Sequence, residues 1–184
     1  MPGLLLPTLA KAAIPAVAVG VILFVAKRRR LSFREDLGLR LPLLAPTVLF
    51  LFLWGTLIAA EELLAGAAGQ AKPWPEYPTS ILLLRILAIG LLGPIAEELA
   101  FRGVLLGVLR RTRLGIFGAI ALTAAIWAAI HMQYAPATLA LIFVDGLVLG
   151  AARHYTRSLY VPILMHVIGN LFSIWQSLGN GGMG

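Results

Sequence analysis

Six apolar runs divide the chain, at about Leu4 to Ala26, Leu41 to Ala60, Ile81 to Leu109, Leu114 to His131, Thr138 to Ala152 and Leu159 to Trp175. Most approach the ~20 apolar residues that a helix needs to cross a bilayer, while the fifth is short and must borrow from its flanks. The polar connectors between the runs alternate in charge. The first carries Lys27, Arg28, Arg29, Arg30, Arg34 and Arg40, the third Arg110, Arg111 and Arg113, and the fifth Arg153 and Arg157. The second has Lys72 as its only base beside Glu61, Glu62 and Glu76, and the fourth, around Gln133 to Pro136, has none. The positive-inside rule then predicts the odd connectors in the cytoplasm and both termini outside.

Local signals refine this outline. In the N-terminal run the positive cluster follows the apolar stretch instead of preceding it, which suits an uncleaved anchor. From Gly66 to Ser80, Pro73, Pro75 and Pro78 forbid a regular helix, so an external loop with interfacial aromatics is expected. Leu31 to Arg40 reads as a short amphipathic helix on the inner surface, capped by Ser32 with Glu35 three residues on. Gly115, Gly118 and Ala119 on the fourth run would allow close helix packing. The Gly-rich tail, 179–184, is expected to fray.

Composition narrows the class. Of the 184 residues 60% are hydrophobic and 12% charged, with mean hydropathy +0.92. That is more apolar surface than one soluble core of this size can hide. The expectation is an all-α, polytopic membrane helix bundle of about six transmembrane helices, forming one integral membrane domain over residues 1–184, in a bacterial or archaeal cell membrane. The net charge of +7 would suggest nucleic acid in a soluble chain, but here Lys and Arg cluster at the ends of apolar runs, as topology signals do, so no nucleic-acid partner is expected. There is no cysteine, which excludes disulfides, thiol nucleophiles and thiolate metal sites.

Ionisable groups inside the apolar runs are expensive and default to a functional reading. The third run holds Glu97 and Glu98, with Arg102 four residues beyond Glu98, so that Glu98 and Arg102 can pair on one helix face. Glu97, about 100° round the helix, is left without that partner. Trp127 lies four before His131, and His166 lies four before Asn170, each pair on one face. Together these supply a base, an acid and hydrogen-bond donors for an oxyanion, the parts needed for amide hydrolysis by an activated water. Rise per residue puts Glu97 about 20 Å, Asn170 about 17 Å, His166 about 10 Å and His131 about 25 Å from the cytoplasmic ends of their spans. Tilt, kinks at Pro94 and Pro162, and shifted ends could bring them level. Structural readings stand beside these: Glu98 with Arg102 as a packing ion pair, His131 as a core hydrogen-bonding group, Arg85 with Asp145 as a mutual or network salt bridge, and Glu61 with Glu62 as solvated loop-end acids.

Glu97-Glu98-x-x-x-Arg102, an aromatic residue four before His131, and His166-x-x-x-Asn170, in that order on separate spans, resemble the three signature motifs of the CPBP family of intramembrane proteases, which includes the Rce1-type CAAX prenyl endopeptidases and the bacterial Abi proteins. The resemblance covers about residues 81–175, which would form the catalytic core, and extends to Phe101-Arg102-Gly103 and the run from Gly146 to Gly150. The family usually has Phe where this chain has Trp127. The resemblance implies that Glu97 and His131 hold and activate water, that His166 and Asn170 stabilise the oxyanion, that Glu98 and Arg102 brace the site, and that Trp127 and Phe101 wall it. It implies a membrane-associated, possibly prenylated, peptide substrate.

No metal cofactor is favoured, since His-Glu-x-x-His is absent. The alternative is a zinc form with Glu97, His131 and His166 as ligands. A proton-coupled transporter is a further alternative, disfavoured by the lack of related halves, and a scaffold or immunity protein with a relic site is another. Asp145 is the only aspartate within the runs, and Ser173 lacks a Gly-x-Ser setting, which argues against presenilin-type and rhomboid-type chemistry.

Overall fold

The computed structural model describes residues 2–65 and 74–179. Among them no strand forms, and six apolar helices account for the runs: α1 (Pro2–Arg28), α2 (Leu44–Ala65), α3 (Thr79–Leu109), α4 (Gly115–Ala129), α5 (Pro136–Thr156) and α6 (Tyr160–Gly179). Five of these are long and apolar enough to cross a membrane. The short helix is α4, not the fifth as expected: its 15 residues span only about 22 Å. Its chain leaves the helix at Ile130 and turns, with the His131 N–H donating to the Ala128 carbonyl and the Tyr134 N–H to the His131 carbonyl. The fifth helix reaches 21 residues by starting on Pro136, which suits a first turn, and running to Thr156. Arg157, in the left-handed region at φ 59°, ends it.

Two wider turns interrupt α3, at Ala88–Leu92 and Leu99–Leu105, where backbone N–H groups bond five residues back instead of four. In the first, the Gly93 N–H donates to the Ala88 carbonyl. The next donor in that register would be residue 94, and Pro94 has none, so the Ile89 carbonyl is left for another partner. Pro162, expected to kink its helix, instead lies in the first turn of α6, where a missing N–H costs no helical bond.

Close helix approach follows the small residues, though not those expected. Gly115 has open space around it and a positive φ of 61°, and Gly118 faces only Leu114 of its own helix. Ala119 alone of that set is in the interface, fully buried. The intimate contact between α4 and α5 is made from the other side: a Cβ on Gly146 would come within 2.8 Å of the Ala124 Cβ, and one on Gly150 within 2.9 Å of Ile120. Gly90 on α3 does the same for α6, where a Cβ would meet Leu171 at 2.8 Å. The central core joins Phe50, Trp54, Trp127, Leu149, Val161 and Met165.

The first connector is not the surface helix expected. The Ser32 Oγ does cap the Glu35 N–H (3.1 Å), but the reciprocal acid is Asp36, which accepts the Ser32 N–H at 2.8 Å, and the turn ends there. Leu37 then plunges inward against Ala26, Leu99 and Leu159. Gly38 at φ 77°, against which the Arg153 guanidinium packs, reverses the chain, and helix cannot continue through it. The connector is pinned to its counterparts: Asp36 pairs with Arg111 at 2.5 Å, Arg40 Nε donates to the Arg157 carbonyl at 3.0 Å, and Ser158 Oγ donates to the Arg40 carbonyl at 2.6 Å. The three basic connectors therefore share one face of the bundle. At the opposite end, the Trp74 N–H donates to the Ser177 carbonyl at 3.0 Å, and the Gln176 amide donates to Glu62. Most of the expected external loop and nearly all of the Gly-rich tail lie outside the described residues.

Candidate functional site

The turn of α3 after Pro94 carries both glutamates, and their surroundings differ. Glu98 is fully buried, and its Oε1 accepts two donors, Arg102 Nη1 at 2.9 Å and His166 Nδ1 at 3.0 Å. Arg102 is equally buried, and its second arm donates to the Gly146 carbonyl at 3.2 Å. That contact is open because Gly146 has no side chain between the two helices. The i,i+4 pair expected from sequence is thus formed and tied to α5 and α6 as well. Phe101 lies beside Arg102, its ring centroid 5.9 Å from the guanidinium carbon.

Glu97 is half-buried and without Arg102, but it has a partner that the sequence did not announce: Trp127 Nε1 donates to its Oε2 at 2.6 Å. Trp127 lies at the centre of the cluster. Its ring meets His131 edge-on at 5.3 Å and His166 edge-on at 5.3 Å, and the Arg102 guanidinium carbon sits 4.7 Å from its centroid. Glu97, His131 and His166, from three helical regions, therefore all touch one indole. Since a carbonyl only accepts, His131 Nδ1 must carry the proton that it shares with the Trp127 carbonyl at 2.8 Å, which leaves Nε2 as the open nitrogen. His166 likewise spends Nδ1 on Glu98, an orienting carboxylate–imidazole arrangement.

Asn170, one turn beyond His166, is held by the carbonyl that Pro94 frees: its Nδ2 donates to the Ile89 carbonyl at 2.8 Å. The side-chain amide oxygen is thereby fixed in direction, and the close approach at Gly90 makes the bond possible. Trp127, one turn before His131, spans the difference in depth between His131 and Glu97.

Two polar groups are not where the sequence reading put them. Arg85 and Asp145 do not pair. Arg85 lies against Trp74 (5.1 Å) and Tyr77 (4.6 Å) and donates weakly to Thr8 at 3.5 Å. Asp145 instead faces Glu61 of α2, so that Glu61 is not a solvated loop-end acid. Each has a buried oxygen with no other protein partner. Two acids can bond only if one brings a proton. The sequence carried little signal for this pair, because Glu61 falls at the end of the second run and Asp145 in the middle of the fifth.

A zinc alternative would require Glu97, His131 and His166 to converge as ligands. Among the described residues no three His, Asp or Glu side chains group in that way, and Glu97 Oε2 and both Nδ1 atoms are engaged by protein partners. Both Nε2 atoms and Glu97 Oε1 have no such partner among the described hydrogen bonds.

Comparison with known proteins agrees with this architecture. An uncharacterized 24.3 kDa protein of Escherichia coli is 36% identical over 89 residues, a stretch covering 47% of this chain and 41% of that protein's length. No solved structure matches. The model of the type II CAAX prenyl endopeptidase Rce1-like family matches residues 79–172, from the first turn of α3 to beyond Asn170 and over half of the chain. This integral membrane protein belongs to the Rce1-like family.

Proposed function

We propose that the protein is an intramembrane endopeptidase that hydrolyses a peptide bond of a membrane-associated, CAAX-like substrate with a glutamate-activated water. The observation that carries this reading is the clustering of Glu97, His131 and His166 around Trp127, with each imidazole presenting Nε2 and each Nδ1 already spent. Glu97 would take the water's proton and return it to the leaving amine, and His131 Nε2 would hold that water. His166 and Asn170 would face the oxyanion, while Glu98 and Arg102 fix the His166 imidazole. The metal-free form is preferred because the sequence has no His-Glu-x-x-His, with a zinc form on Glu97, His131 and His166 as the alternative. In this reading the basic connectors lie in the cytoplasm and both termini outside. The transporter alternative draws on Glu61 and Asp145, and the lack of related halves in the sequence counts against it.

The test uses the full-length protein in liposomes with internally quenched peptides, farnesylated and unlipidated, ending in CAAX-like sequences. Glu97→Gln keeps the shape and removes the base, so cleavage should fall by at least 10²- to 10⁴-fold, in rough terms, with the helical fold retained by circular dichroism. A chelator should leave the wild-type rate unchanged. Wild-type turnover by the Gln variant, or a chelator-induced loss restored by zinc, overturns the assignment.

A further inference from the structure

We propose that Trp127 is a positioning residue that aligns two groups of the reaction at once, its indole N–H fixing the Glu97 carboxylate and its carbonyl fixing the His131 imidazole. The inference rests on the reading of Glu97 as the base. Tryptophan differs from phenylalanine in one property that matters here: the indole nitrogen is a donor and nothing else. At 2.6 Å it grips Glu97 Oε2, and among the described hydrogen bonds Oε1 takes none, so the second oxygen stays open for a proton. The donor has little freedom to turn away. The ring is only 5% exposed, with an imidazole edge-on from each side and the Arg102 guanidinium against it. One turn on, His131 Nδ1 hangs on the carbonyl of the same residue. A phenyl ring would wall the cavity equally well and would leave Glu97 free to rotate.

The charged or titratable groups around this cluster are Glu98 and Arg102 on the helix of Glu97, His131 after α4, Asp145 on α5 beside Arg102, and His166 on α6. None of these is altered by Trp127→Phe, so a loss of turnover without a loss of substrate affinity reports the missing N–H.

The experiment measures kcat and KM separately for wild type, Trp127→Phe and Glu97→Gln in the same liposomes with the farnesylated quenched peptide. Trp127→Phe should lower kcat about tenfold with KM unchanged, the loss of one hydrogen bond that positions the base. An unchanged kcat in the Phe variant beside an inactive Gln variant overturns the positioning role and leaves the base assignment standing. Activity of the Gln variant overturns the base assignment itself. A second measurement is independent of turnover and of the folding of Trp127→Phe: in ¹⁵N-tryptophan-labelled protein, Glu97→Gln should displace one indole N–H resonance. No displacement of any indole resonance overturns the proposal.

Discussion

Glu98 takes the Arg102 and His166 donors on the same oxygen, in surroundings with no water-facing side, so removal of one partner leaves a charge stranded. Arg102→Met should therefore cost about 3–5 kcal/mol of stability, whereas Glu98→Leu with Arg102→Met should cost clearly less, because no unpaired charge remains. Thermal unfolding in detergent of the single and double variants checks this, and equal losses would contradict it. This pair was legible in the sequence because its two residues lie on one helix, where spacing alone fixes geometry. The partners of Glu97 and Asp145 were not legible. Each bond spans two helices whose relative rotation is set by packing, and a linear pattern carries no such angle. The hydrogen bond that Trp127 adds over a Phe was hidden for the same reason, since only the fold aims the indole nitrogen.

The helices of the bundle could be read from hydropathy, while their ends and mutual approach could not. The first connector has a capping signature that is real, yet the helix stops because Leu37 finds a buried seat and Gly38 takes a conformation that ends it. Likewise the short α4 and the full-length α5 differ by turn bonds and a left-handed Arg157, features invisible to a count of apolar residues. At this scale Gly90 is the decisive residue, because it sets how near α6 comes to the free Ile89 carbonyl. Gly90→Val should push α6 away, cost about 1–3 kcal/mol by overpacking, and break the Asn170 bond. Gly20→Ala on α1, where a Cβ meets nothing within 4 Å, is the control. Melting temperature and cleavage rate measured together should both fall for Gly90→Val and neither for the control.

Across the whole molecule, charge predicted which connectors share a face, and the structure adds that they are fastened to one another. The Ser32 backbone N–H, and after it Arg111, hold the Asp36 carboxyl below its ordinary value of 3.8. A group depressed in this way stabilises the fold fully above the ordinary value, and that contribution is lost as pH falls through the range beneath it. Asp36→Asn should thus speed hydrogen exchange of backbone amides 32–40 at pH 7, with the gap to wild type closing as the pH drops below 3.8. Equal exchange at pH 7 would show that the carboxylate fastens nothing. The places where Leu43, Arg40 and Gly38 attach lie at residues 156–159, more than a hundred positions later in the chain. During synthesis, then, the first loop emerges long before its docking surface exists. Arg111 can engage Asp36 earlier, but the bonds to residues 156–159 must wait until the connector after α5 has been made, so the first loop settles fully only once five helices exist.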